Sequence, residues 1–161
     1  MNGEITLGEL HRTIQEVMEW EGYHLHTFDT GGAGFREPEL SGTTTDEDER
    51  RIRLRQVISS ETQCFLYEYD FGDGREHDIL VEKILPLDPE MRYPVCLKGK
   101  RACPPEDVGG PWGYADFLEA IQDPDHPEHE DYLEWFGEDF DPEYFDLEAI
   151  NRALEKYSPE R

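Results

Sequence analysis

"CFLYEYDFGDGREHDILVEKIL", residues 64–85, decides how this chain is read. Phe65, Tyr67, Tyr69 and Phe71 alternate with smaller or polar residues. Side chains two apart on a strand point to one face, so 64–71 is expected as a strand with an aromatic inner face. Gly72, Asp73 and Gly74 follow, and glycine accepts the backbone angles that a tight reversal needs. "EHDILVEKIL" (76–85) reads as the return strand, stopped by Pro86. The stretch is first of all a β-hairpin.

The segments around it supply a helix before and helices after. Thr6 and Glu9 have the spacing of a capping box, and Leu7, Leu10, Ile14, Val17 and Met18 recur at helical spacing, predicting a helix over 6–20. "YHLHTFDT" (23–30) alternates as a strand does. Residues 31–50 show no apolar period and read as one long loop, and 51–59 suits either a short helix or a strand. "RYPVCLKGKRACPPEDVGGP" (92–111) reads as an ordered irregular loop that helps to build a site. Tyr114, Phe117, Leu118 and Ile121 mark a helix over 112–122. Pro127 opens another, with Tyr132, Leu133 and Phe136 inward and Gly137 as its stop. Asp146 caps a last helix along which Leu147, Ile150, Leu154 and Tyr157 align. The expected class is α+β: an antiparallel sheet with a central hairpin, one N-terminal helix and about three C-terminal helices, in a single domain over 1–161.

The chain has 161 residues and a formal net charge of −24. Phosphate backbones are repelled by such a chain, so generic nucleic-acid binding is disfavoured. The charge is uneven: between Arg101 and Arg152 there is no Lys or Arg at all. A basic protein partner is the class this favours. Apolar runs fall short of the roughly 18 residues of a membrane span, and the N-terminus lacks a secretory pattern. Cys64, Cys96 and Cys103 have no disulfide-framework spacing. A cytoplasmic protein with reduced thiols and no membrane association is expected.

Several short strings suggest chemistry. The letters DFG at 70–72 mark a metal-binding aspartate in kinases, but the glycine-rich loop, strand lysine and catalytic-loop aspartate are missing upstream. "FDTGGAG" (28–34) resembles the Asp-Thr-Gly of aspartic proteases, whose all-β body these helical segments do not provide. Metal ligation has more substance. His24 and His26 lie on one strand face, and Asp70, Asp73 and His77 flank the hairpin turn, so a divalent metal at these five residues is a candidate. Tyr69, Glu106, Asp107, Trp112 and Tyr114 are candidates for a neighbouring pocket. His126 and His129 sit with Glu130 at a helix start. No HExxH, CxxC or GxSxG occurs. A binding or interaction module is therefore the first reading, a metal-dependent enzyme the second, and a mimic of nucleic-acid charge the third.

Four strings taken in order carry a resemblance: "GELHRTIQEVMEWEGYHLHTF" (8–28), "FLYEYDFGDGREHDILVEKIL" (65–85), "YPVCLKGKRACPPEDVGGPWGYADFLEAI" (93–121) and "DFDPEYFDLEAINRAL" (139–154). Together they resemble the uncharacterised family named after the third open reading frame of an Agrobacterium Ri plasmid, also labelled insertion-element passenger proteins. The resemblance implies an α+β domain of bacteria and archaea, without an assigned activity, and a role as a mobile-element accessory. The chain departs from the family pattern in two places. Arg75 stands where the family's DFGDxWxH string has tryptophan, and the usual N-terminal strand segment with its Trp-Arg-Arg string is absent before "MNGEITLGEL". Either the start of the chain is misassigned or the sheet has lost a strand, which is expected to leave a sheet edge or an apolar strip uncovered. The resolvase label sometimes attached to the family needs a serine nucleophile among arginines, which these residues do not supply.

Overall fold

Thr6 and Glu9 form the expected reciprocal cap. The Glu9 amide donates to Thr6 Oγ1 at 3.1 Å and the Thr6 amide to Glu9 Oε2 at 2.7 Å. This cap satisfies donors that an open helix start would leave orphaned. It opens α1, Leu7–Met18, which ends where Glu19 turns left-handed at φ 56°. The structure, a computed structural model, describes residues 1–36, 47–137 and 140–158.

Five strands follow: β1 (His26–Asp29), β2 (Gly34–Arg36), β3 (Glu47–Asp48), β4 (Cys64–Tyr69) and β5 (Arg75–Leu80). They lie in the order β3-β2-β1-β4-β5. The β4–β5 hairpin is antiparallel, with Tyr67 opposite His77 and Tyr69 opposite Arg75. β1 is antiparallel to both β4 and β2, while β3 joins β2 in parallel. Four strands therefore form the antiparallel sheet, and one short parallel pair extends its edge.

Alternation divides the sheet into two unlike faces. His26, Phe28, Phe35, Phe65, Tyr67 and Tyr69 are buried on one face, under Leu7 and Leu10 of α1 and beside Trp20. Each large apolar side chain taken fully from water contributes roughly 1.5–3 kcal/mol. The Tyr67 hydroxyl is too deep for water and takes both its partners from α1: Gln15 Nε2 donates to it at 2.9 Å, and it donates to His11 Nδ1 at 2.8 Å. His11 in turn lies flat on His26, ring centroids 3.5 Å apart. His26 Nε2 donates to the buried carboxylate of Glu49 at 2.8 Å.

The short helix α2 (Leu54–Val57) ties the N-terminus to this layer, since the Leu54 amide donates to the Ile5 carbonyl. The C-terminal helices are α3 (Gly110–Gln122), α4 (His129–Phe136) and α5 (Leu147–Leu154). Phe117 of α3 is the centre of a second aromatic cluster, with Tyr132, Phe136 and Phe140 edge-on to it at 5.0–5.4 Å. Asp146 caps α5 as expected, accepting from the Ala149 amide at 2.9 Å. The helix α5 packs on α1, where Lys156 just beyond it pairs with Glu16. No helix among the described residues is long and apolar enough to cross a membrane.

Three expectations are corrected. The 31–50 segment is not one loop, because β2 and β3 lie in it; residues 37–46 lie outside the described residues. The return strand starts at Arg75 and ends at Leu80, short of Pro86. Phe71 leaves the aromatic face: Asp70 adopts φ 56°, which turns the chain, and Phe71 stands 42% exposed.

Burial, with its stacked neighbour His26 and Arg12 adding to it, pushes the His11 pKa from 6.5 down to about 3. The unfolded chain binds this proton below about pH 6.5 and the folded chain does not, so stability is lost as pH falls through that window. A single such group gives a slope of up to about 1.4 kcal/mol per pH unit. Urea denaturation between pH 7 and 4 should show a shallower loss of stability in His11→Gln than in the parent chain.

Candidate functional site

The end of the sheet where β4 turns into β5 carries the densest chemistry. Its scaffold begins with Arg75, which is only 7% exposed. The guanidinium lies 5.0 Å over the Trp20 ring, and Trp20 is itself stacked on Tyr69 at 5.0 Å. Arg75 also donates to the carbonyls of Pro104 and Pro105, at 3.3 and 2.6 Å, and pairs with Asp73 at 3.2 Å. Trp20 Nε1 donates to the same Pro104 carbonyl at 3.0 Å. Asp73 completes the clamp by accepting from the Gly109 amide at 3.2 Å. The proline-rich segment is thereby fixed across the hairpin end. The guanidinium thus stacks on an indole while its planar fork reaches two carbonyls.

Gly110 allows the last close approach. Its φ is +66°, and a Cβ there would stand 2.4 Å from the Asp73 carbonyl oxygen. The start of α3 rests against the hairpin turn for that reason.

Asp70 organises the turn. Its Oδ1 accepts from the Gly72 and Asp73 amides at 3.1 and 3.3 Å, while its own amide donates to Leu25. His24 Nδ1 lies 3.7 Å from Asp70 Oδ1, and His24 Nε2 lies 3.0 Å from Asp107 Oδ1. Tyr69 supports the group from below: its hydroxyl donates to Glu106 Oε1 and accepts from the His24 amide. Burial, then the bond to Glu106, raises the Tyr69 pKa above the phenol range and keeps that proton in place.

The five expected metal ligands therefore separate. His24 and Asp70 come together, joined by Asp107, with ligand atoms all within 4.8 Å of one another. His26 faces the core and is taken by Glu49, Asp73 by Arg75, and His77 Nδ1 by the Tyr67 carbonyl at 3.3 Å. Burial lowers the His77 pKa and favours its neutral form. Of the expected pocket residues, Tyr69, Glu106 and Asp107 meet here. Trp112 stands 85% exposed and Tyr114 stacks on Phe117. A separate cleft runs between Trp20, Cys103, Pro104, Phe136 and Tyr144. Burial pushes the Cys103 thiol up to about 11, so it is no thiolate there. Glu49 and His11 escaped the sequence reading: one sits in an unpatterned acidic stretch, the other on a helix without a polar motif around it.

The opposite face of the sheet carries its polar residues, part-buried or exposed among the described residues. Glu68 stands directly across from Glu76, and Leu66 across from Asp78. Asp29, Glu76, Asp78 and Leu80 on this face are exposed.

A mixed sheet with one helix-covered face, an acidic opposite face and a proline-rich segment clamped over the hairpin end defines an α+β protein whose polar groups gather at one sheet end. The chain belongs to the plasmid pRiA4b ORF-3-like protein family, whose pattern matches residues 1–149. It is 39% identical over 153 residues to an uncharacterized protein, y4hQ, of Sinorhizobium fredii (strain NBRC 101917 / NGR234), covering 94% of this chain and 78% of that protein. It is also similar to the crystal structure of MM3350, a protein of unknown function from Methanosarcina mazei Go1. That similarity has a TM-score of 0.82 and 40% identity, over 92% of this chain and 84% of the other.

Removing Arg75 would leave Asp73 largely buried without its cation and the Pro105 carbonyl without its donor, while the Pro104 carbonyl keeps Trp20 Nε1. Loss of one member of a buried pair costs about 3–5 kcal/mol. Arg75→Ala should lower the unfolding free energy by about 3 kcal/mol in urea. It should also speed protease cleavage at Lys98, Lys100 or Arg101 in the native protein.

Proposed function

We propose that the chain is a protein-interaction module that receives a basic partner on the acidic face of its sheet. One observation carries this reading: Glu68 and Glu76 face each other across the β4–β5 hairpin. Like charges directly opposite on a sheet cost stability, on the order of 0.2–1 kcal/mol. Asp78 and Asp29 extend the same acidic face, and β4 and β5 offer it no Lys or Arg, because Arg75 points to the other side. Leu66 and Leu80 give this face an apolar end. The fitting partner is a protein segment that carries Lys or Arg beside apolar residues. The overall charge of −24 adds long-range attraction for such a segment, and disfavours duplex DNA. The family takes its description from a plasmid reading frame. We place the module on that ground among accessory proteins of such elements.

The test uses an amphipathic Lys/Leu peptide titrated by fluorescence anisotropy at about 0.05 and 0.3 M salt, where screening differs strongly. Binding should weaken with salt and should weaken further in the triple variant Glu68→Gln, Glu76→Gln, Asp78→Asn. A control variant, Glu130→Gln, Asp131→Asn, Glu134→Gln, removes equal charge from α4 and should bind as the parent does. Equal weakening in both variants would mean attraction to any acidic surface, and the reading would fall. Glu76→Gln alone should raise stability by about 0.2–1 kcal/mol, since it relieves the cross-strand repulsion.

A further inference from the structure

His24, Asp70 and Asp107 come from three separate places: the approach to β1, the hairpin turn and the proline-rich segment. Their ligand atoms nevertheless lie within 4.8 Å of one another. The 3.0 Å between His24 Nε2 and Asp107 Oδ1 already suits two ligands of one small ion. His24 Nε2 is screened from solvent and yet makes no hydrogen bond, although that carboxylate oxygen is so near. With the ring proton on Nδ1, Nε2 turns its lone pair toward that carboxylate oxygen, and the contact is not one of donor and acceptor. A buried nitrogen without a partner and beside two carboxylates lacks something that accepts its lone pair.

We infer that His24, Asp70 and Asp107 form a binding site for a divalent transition-metal ion, of which zinc is the best match. Imidazole together with carboxylate selects zinc and its neighbours over magnesium or calcium, which take oxygen. The neutral imidazole supplies Nε2, and each aspartate supplies one oxygen. Asp70 can do this while its Oδ1 holds the Gly72 and Asp73 amides, because its Oδ2 is left for the ion. Asp107 is the adjustable ligand: its side chain is 56% exposed, and it can close the remaining separation. Three protein ligands leave a position for water, which in zinc sites is the arrangement that can take a further ligand. Glu106, held by the Tyr69 hydroxyl and the Glu21 amide, fixes the segment next to Asp107. The inference stands independently of the partner proposed for the acidic sheet face, which is formed by other residues.

The test is calorimetric titration of the full, chelator-stripped chain with zinc chloride, repeated with manganese and magnesium. The expected result is one zinc per chain, weaker manganese and no magnesium binding. His24→Gln and Asp107→Asn should each weaken zinc by at least about tenfold. Asn suits the left-handed backbone of Asp107 (φ 58°), so that variant keeps its fold, and circular dichroism checks both. His126→Gln, at the exposed acidic start of α4, should bind zinc as the parent does. Absence of zinc binding, zinc binding unchanged in both site variants, or zinc binding lost in His126→Gln would each overturn the inference.

Discussion

Two phenols on one strand must be hydrogen-bonded where water does not reach. Tyr67 and Tyr69 are both fully buried, and an unsatisfied hydroxyl at such depth costs about 1–3 kcal/mol. The two hydroxyls find partners on different elements, and this decides where those elements sit. Tyr67 commits α1 through His11 and Gln15, and Tyr69 commits the proline-rich segment through Glu106. The helix and the segment are far apart in sequence and have little reason to meet otherwise. Trp20 and Arg75 then fill the space between them as a stack, with the Pro104 carbonyl shared by both.

Inside and outside, the molecule treats charge differently. Inward-facing charges are matched: Glu49 with His26, Asp73 with Arg75. Each pair is nearly dry, so losing one partner would be severe. On the outward face the carboxylates of Glu68 and Glu76 stand opposite one another without such a match. The end of the sheet lies between these regimes, with His24 half-buried between two carboxylates. The polar chemistry concentrates there because the hairpin turn and the start of α3 leave backbone close to backbone and little room for apolar filling.

Local patterns announced most of the fold. The capping box at Thr6, the alternating aromatics of β4 and the Asp146 cap are all short-range signals, and each appears where the sequence places it. β2 and β3 were hidden because they are three and two residues long, and polar residues surround them. A pair of that length is held by its neighbour in the sheet and leaves no period to read. Phe71 misled because alternation continues in the letters after the backbone has already turned at Asp70. In the candidate site, His24 and Asp70 were legible as polar residues near strand ends. Their grouping with Asp107, and the diversion of His26 to Glu49, depend on contacts between distant segments. A single sequence carries no local trace of such contacts.

The position of β5 has a consequence for self-recognition. It is the last strand of the sheet, and its outward face shows Glu76 and Asp78. Two copies meeting edge to edge in antiparallel fashion would set these carboxylates against their own kind along the new ladder. The strand thus discourages edge-to-edge pairing of identical molecules. The same two side chains set the charge that any strand added at this edge would meet.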